Sequence, residues 1–142
     1  VDLAHISPAG LSHALEVAER PVMFSHGNCD ALCHHPRNLT DEQLVALAEN
    51  GGVIGMSFVP AFVDETAPSL DRLLDHIEHV VRVAGIDTVA IGSDFDGGGT
   101  LLSDATECVR ITEGLVTRGF AEADIRKILG ENMLRVIRAA MG

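Results

Sequence analysis

Two histidines and one aspartate each end a short β-prone run of residues. His5, His26 and Asp94 follow these runs directly. Because the carboxyl ends of parallel strands meet at one edge of a sheet, we expect the three side chains to lie close together. Imidazole and carboxylate are ligands that zinc and similar ions take, and an aspartate there can also accept a proton. The runs therefore predict a metal site, with structural hydrogen-bonding histidines and an Asx-turn at Asp94 as alternatives.

The loop after the second of these strands carries further polar side chains. Arg37 has a planar guanidinium that could hold a carboxylate with two hydrogen bonds, although a solvated loop arginine is the alternative. His34 and His35 are adjacent and diverge on most backbones, so both are expected to be exposed. Asp96 follows Asp94 by two residues, and on an extended chain the two carboxylates would point the same way.

The spacings of the other histidines and of the cysteines favour structural or surface roles over metal binding. His76 and His79 lie three residues apart beside the apolar stripe of a predicted helix, where surface positions are expected. Cys29 and Cys33 have no matching second pair, which makes a structural zinc site a weak hypothesis. Three cysteines cannot form a complete disulfide framework, and reduced thiols predict a cytoplasmic location.

Short apolar strands alternate with amphipathic helices along the chain, which predicts parallel βα units. Strands are predicted at 1–5, 22–25, 53–58 and 88–93, helices after Ser7, Thr40 and Ser69, and further helices at 104–118, 121–129 and 131–140. Residues 40–43 form a capping box, and the glycines at 51 and 85 are placed to end helices. Residues 59–68 are predicted to be a loop with both prolines outside regular structure.

Length and composition exclude several classes of protein. The 142 residues can form one core, but a complete eight-unit α/β barrel takes about 250. A net charge of −11 and the absence of Trp and Tyr argue against a nucleic-acid partner. No apolar run approaches the ~20 residues that span a bilayer, and no nucleophile elbow, phosphate-binding loop or dinucleotide fingerprint is present.

Several segments, in order, together resemble the membrane (renal) dipeptidase family, the M19 metallopeptidases. They are VDLAHIS at 1–7, FSH at 24–26, PRNLT at 36–40, ENGGV at 49–53, IGSDFDG at 91–97 and KILGENMLRV at 127–136. The resemblance implies α/β architecture, with residues 1–142 as a single partial domain. That domain would be the carboxyl-terminal half of a metal-dependent (β/α)8 TIM barrel of the amidohydrolase type. It would contain roughly strands five to eight, outer helices and terminal helices.

The resemblance also implies an activity and a role for each candidate residue. The family hydrolyses dipeptides with a pair of zinc ions. His5 and His26 match its metal-binding histidines, Arg37 matches the arginine that holds the substrate carboxylate, and Asp94 matches the catalytic aspartate. Ala4 stands where many relatives have Ser. The family's first-strand His-x-Asp pair and bridging Glu belong to its amino-terminal half, and no residue here matches them.

These expectations lead to a partial active site and leave two alternatives open. Zinc prefers four ligands, or three and a water, so weak metal binding and little dipeptidase activity are expected of this chain alone. The unpaired edges of a half-barrel favour self-association or pairing with an amino-terminal half. The alternatives are another binuclear metallohydrolase, such as a lactonase or deacetylase, and a non-enzymatic half-barrel module.

Overall fold

The computed structural model describes residues 1–97 and 99–142, and its strands and helices alternate along the chain. The helices are α1 Pro8–Val17, α2 Asp41–Glu49, α3 Pro60–Val63, α4 Leu70–Ala84, α5 Val109–Thr117, α6 Glu122–Arg126 and α7 Asn132–Met141, and the strands are β1 Met23–Gly27, β2 Val53–Met56 and β3 Val89–Ile91. Turns of 3-10 helix at Ile86–Thr88 and Ala105–Cys108 precede β3 and α5, and the segment Lys127–Glu131, which has a kink at Gly130, joins α6 to α7. This order confirms the predicted α/β pattern. Of the predicted glycine loop, Gly98 lies outside the described residues.

The three strands form one parallel sheet in the order β1-β2-β3. The predicted strand at 1–5 is shorter than expected and makes a single parallel bridge, from Asp2 to Met23. The Leu3 amide donates to the Met23 carbonyl at 2.8 Å, which places this segment beside β1. All the strand-like segments therefore run the same way, and their carboxyl ends lie at one edge.

Helix ends follow the predicted capping chemistry. The Thr40 hydroxyl accepts from the Gln43 amide, and the Gln43 side chain accepts from the Thr40 amide, which forms the predicted capping box. The Ser69 hydroxyl accepts from the Arg72 amide at 3.2 Å, and Gly85 ends α4 with a φ of +91°. Because these signals are local, they could be predicted without the tertiary fold.

Hydrophobic side chains cover both faces of the sheet. The larger cluster packs strand residues against α2 and α4 and includes Phe24, Ile54, Met56, Leu44, Leu47, Leu73, Ile77 and Val80. A smaller cluster packs Val136 and Met133 of α7 against the opposite face, on Val53, Ala90 and Met23. The alternation of Val53 and Ile54 between the two clusters is that of a strand buried on both faces.

Glycines let the strands approach closely just before their carboxyl ends. Gly55 of β2 and Gly92, which follows β3, both lie against the Ser25 carbonyl of β1, and a Cβ at either position would overlap that oxygen. The backbones can come this close only without side chains. This close approach brings the residues that follow, His26 and Asp94, toward each other even though β2 separates their strands.

Two predictions about buried structure are wrong. Pro60 is not in a loop but begins α3 at its first position, where the missing N–H has no helical partner to lose. His76 and His79 are not on the surface, with exposures of 0% and 5%. Segments distant in sequence, from the loop after β1 to α3, cover that flank of α4.

Candidate metal centre

His5 and His26 meet at the carboxyl edge of the sheet. Their Nε2 atoms are 3.1 Å apart and their ring centroids 5.1 Å apart, at an interplanar angle of 63°. Two zinc–nitrogen bonds of the usual length at a tetrahedral angle place the nitrogens about 3.3 Å apart. The separation of the two Nε2 atoms therefore fits a pair of ligands on one cation.

Neighbouring polar groups orient this pair. The Ser25 hydroxyl is 2.8 Å from His26 Nδ1. The Asp2 carboxylate accepts from the Ala4 amide at 3.0 Å and from the Ser25 amide at 3.1 Å, so it joins the residues before His5 to those before His26. Burial opposes ionisation of Asp2, but these hydrogen bonds outweigh it and lower the pKa of the carboxyl.

Asp94 lies beside the histidines in a left-handed backbone conformation. Its Oδ2 is 3.8 Å from His26 Nε2, and its φ is +58°. The Gly97 amide donates to the Asp94 carbonyl at 3.0 Å, and a Cβ at Gly97 would overlap the Asp94 carboxylate. The chain therefore turns after Asp94. The condition for Asp94 and Asp96 to point the same way, an extended chain, is therefore not met, and Asp96 is exposed.

Arg37 reaches the same edge from the loop after β1. Its Nη1 donates to His5 Nδ1 at 3.0 Å, whereas its buried Nε and Nη2 atoms have no partner in residues 1–97 and 99–142. Burial lowers the pKa of the guanidinium, and the charge of Asp94 acts in the opposite direction. Leaving a buried charged donor unpaired is costly, so this geometry suits an arginine that receives an anion.

The hydrogen bonds assign the protons on the two imidazoles. Because Arg37 is always a donor, His5 Nδ1 is an acceptor and the single proton of neutral His5 is on Nε2. His5 Nε2 then donates to His26 Nε2. His5 can offer Nε2 to a cation only as its other tautomer, which carries a proton on Nδ1 and cannot accept from Arg37. A cation on His5 Nε2 would therefore require the hydrogen bond between Arg37 Nη1 and His5 Nδ1 to break.

Comparison with known proteins places the whole chain in one family. The family model for membrane dipeptidase (peptidase family M19) matches residues 1–141. The chain belongs to the M19 peptidase family. Dipeptidase verJ of Clonostachys rogersoniana is 38% identical over 140 residues, which are 96% of this chain and 36% of that protein. Dipeptidase tcpJ of Claviceps purpurea is 36% identical over 143 residues, 97% of this chain and 34% of that protein. The chain thus spans about a third of the length of these relatives.

Solved structures of peptidases share the fold. A metallo peptidase from Rhodobacter sphaeroides, liganded with a phosphinate mimic of the dipeptide L-Ala-D-Ala, matches with a TM-score of 0.90 and 29% identity. That match covers 97% of this chain and 41% of the other. The probable dipeptidase PvdM from Pseudomonas aeruginosa has a TM-score of 0.90 and 26% identity, over 97% and 49% of the two chains. The fold is therefore that of half of an α/β barrel, and the family is one of metallopeptidases.

A buried asparagine network supports the loop of this M19 chain and was missed by the sequence reasoning. The Asn38 Oδ1 accepts from the Asn28 amide at 2.9 Å, and its Nδ2 donates to the Phe62 carbonyl at 2.9 Å. The Asn28 side chain in turn donates to the Ser57 carbonyl and accepts from the Ser57 amide. In the sequence, this network was indicated only by the position of Asn38 directly after Arg37.

Two neighbouring loop histidines differ in environment. His34 is exposed, as expected, and its Nδ1 is 3.0 Å from the Asp30 carboxylate. His35 is half-buried, so the expectation that it is exposed is wrong. Its ring packs against Phe62, with a centroid separation of 4.5 Å, because α3 returns the chain to this loop.

The cysteines do not form a metal site. Cys29, Cys33 and Cys108 are all free. The Cys29 thiol faces the His76 carbonyl at 3.5 Å and burial raises its pKa, whereas the Cys33 thiol faces the Ala61 carbonyl at 3.4 Å. The cytoplasmic location inferred from reduced thiols stays a prediction.

Two features are absent from the residues that the structure describes. Within 1–97 and 99–142, no group of three or more His, Cys, Asp and Glu side chains is arranged to hold a metal ion. The candidate centre therefore contributes a pair of imidazoles rather than a full set of ligands. Over the same residues, no helix has both the length and the apolar character needed to cross a bilayer.

Proposed function

We propose that residues 1–142 form the carboxyl-terminal part of a zinc-dependent dipeptidase active site. The observation that carries this proposal is the 3.1 Å approach of the His5 and His26 Nε2 atoms, with Asp94 and the Arg37 fork beside them. Imidazole is a ligand that zinc takes, as do copper, iron and nickel. Membership of the M19 family supports dipeptides as the substrate class.

Each side chain has a distinct role in this proposal. His5 and His26 would hold a zinc ion, which would polarise the scissile carbonyl and lower the pKa of the attacking water. Arg37 binds the free carboxylate of the dipeptide through its unpartnered Nε and Nη2 donors. Asp94 accepts a proton from the attacking water and returns it to the departing amine.

The proposal also concerns how much this chain does by itself. Two imidazoles are half of the four ligands that zinc usually takes. We therefore expect residues 1–142 alone to bind zinc weakly and to hydrolyse dipeptides slowly or not at all. Pairing with a segment that brings further carboxylate and imidazole ligands would complete the site.

A substrate screen tests the proposal. The complete protein is stripped of metal, reloaded with zinc and assayed against dipeptides, lactones and N-acyl amino acids. We expect dipeptide hydrolysis that returns with zinc and is lost in His26→Asn but kept in His13→Asn, since His13 is exposed on α1. Lactone or N-acyl turnover without dipeptide turnover would identify another metallohydrolase. If the substitution His26→Asn changed neither the hydrolysis of these substrates nor its dependence on zinc, a non-enzymatic module would be favoured.

A further inference from the structure

The direction of the Arg37 side chain needs an explanation. An arginine side chain has several rotatable bonds and loses much conformational freedom when it is fixed. Nevertheless, Arg37 lies on a loop, makes one side-chain hydrogen bond in the described structure and keeps Nε and Nη2 buried. Other contacts must therefore hold the fork in place.

His35 fixes the backbone of the arginine. Its Nδ1 accepts from the Arg37 amide at 3.2 Å, and its carbonyl accepts from the Asn38 amide at 2.9 Å. The second bond closes a tight turn with Pro36 and Arg37 at its centre, and the proline ring restricts φ at the first of these positions. The histidine thus sets the point from which the Arg37 side chain starts.

Phe62 provides a common surface for both side chains. The His35 ring lies 4.5 Å from the Phe62 ring at 43°, and the Arg37 Cζ lies 5.4 Å from the same ring centroid. Phe62 is only 9% exposed, and the Asn38 Nδ2 donates to its backbone carbonyl. An aromatic ring within about 6 Å attracts a guanidinium and favours a defined approach.

We propose that His35 is a positioning residue that, together with the Phe62 ring, sets the direction of the Arg37 fork. This inference rests on the proposed function, in which Arg37 binds the substrate carboxylate. His35 acts through Arg37 and contacts no reacting atom. Its effect is therefore on the affinity for a carboxylate and not on the chemical step.

Matched substitutions in the complete, zinc-loaded protein test this role. His35→Leu removes the acceptor, Phe62→Leu removes the ring, and His35→Asn keeps an acceptor close to the place of Nδ1. We expect His35→Leu and Phe62→Leu each to raise KM for a dipeptide about tenfold, with kcat within about twofold and zinc content unchanged. His35→Asn should recover most of the affinity, and His34→Leu should leave KM unchanged because the exposed His34 side chain bonds to Asp30 and makes no hydrogen bond to Arg37 or Phe62 among the described residues.

A dipeptide amide separates positioning from a general structural role. This substrate lacks the carboxylate, so its KM should be the same in wild type and His35→Leu. An equal rise in KM for both substrates, a fall in zinc content, or no rise at all would overturn the inference.

If the wild-type protein hydrolyses no dipeptide, the proposed function fails. The same comparison is then made with the dissociation constants of the dipeptide and its amide. If His35→Leu weakened the binding of the dipeptide but not of its amide, positioning of Arg37 by His35 would still be supported. If it weakened neither or both equally, the inference would be overturned.

Discussion

The molecule contains two pairs of close histidines that differ in nearly every respect. His5 and His26 come from separate strand ends, lie partly exposed and hydrogen bond to each other. His76 and His79 lie on successive turns of α4, are buried and do not bond to each other in the described structure. A spacing of three residues on a helix would permit joint metal binding by the second pair, although the sequence favoured surface positions for it.

The two pairs differ in the hydrogen bonds that their ring nitrogens make. The His76 Nε2 donates to the Val63 carbonyl at 2.9 Å, and its Nδ1 accepts from the Cys29 amide at 3.0 Å. The His79 Nε2 meets Asp41 at 2.6 Å, and its Nδ1 accepts from Arg82 at 2.7 Å. Both helix histidines are therefore satisfied by the protein itself. In the strand-end pair, the two Nε2 atoms hydrogen bond only to each other. A cation could therefore take the place of this hydrogen bond.

The largest expected effect comes from removing the strand-end imidazoles. Asn tolerates the left-handed backbone of His5, whose φ is +70°, so His5→Asn and His26→Asn remove the ligands with little strain. We expect each to lower kcat/KM of the complete protein by about a thousandfold or more and to reduce its zinc content. The free energy of unfolding of the metal-free protein should change by less than about 1 kcal/mol. A large loss of stability would mean that this pair is structural, like the pair on α4.

The opposite result is expected for the buried pair. His76→Leu leaves the Cys29 amide and the Val63 carbonyl unsatisfied, at a cost of about 3 kcal/mol in the free energy of unfolding. Zinc content and KM should stay unchanged. Chemical denaturation and metal analysis measure both quantities, with His13→Leu on the exposed face of α1 as the control. Loss of zinc in His76→Leu at full stability would contradict the distinction.

Sequence patterns were sufficient for those features that depend on neighbours in the chain. Helix caps at Thr40 and Ser69, the glycine after α4 and the alternation of strands with helices are all local signals. The meeting of His5, His26 and Asp94 followed from the common direction of parallel strands. The burial of His76 and His79 could not be predicted, because the groups that cover them come from positions 13 to 47 residues away. For the same reason, the contact of His35 with Phe62 needed the fold.

A smaller effect is expected from the two aspartates beside the histidine pairs. Asp94 lies beside His26 and Asp41 beside His79. Asp94→Asn keeps a residue that tolerates a positive φ and removes the proton acceptor, so kcat should fall about a hundredfold with zinc content nearly unchanged. Asp41→Asn should affect stability alone. Equal kcat values for Asp94→Asn and wild type would remove Asp94 from the proposed mechanism.

The smallest effect is a dependence of stability on pH that the buried His76 confers. Burial lowers the pKa of His76 below its usual value of 6.5; the Val63 carbonyl opposes this shift, and the nearby charges of Arg72 and His79 reinforce it. Between the lowered pKa and 6.5, the unfolded chain binds a proton that the folded chain does not, so the free energy of unfolding falls as the pH is lowered from about 6.5.

Because a single proton is involved, the free energy of unfolding changes by at most about 1.4 kcal/mol per pH unit. This loss of stability ends below the pKa of His76 in the folded state. Carboxylates titrate in both proteins, so the measured quantity is the difference between wild type and His76→Leu at a series of pH values. This difference should narrow as the pH falls from about 6.5, because the variant has no imidazole to protonate. A constant difference would show that His76 accepts a proton in the folded state as readily as in the unfolded chain. The contrast between the satisfied helix pair and the open strand-end pair would then lose its electrostatic basis.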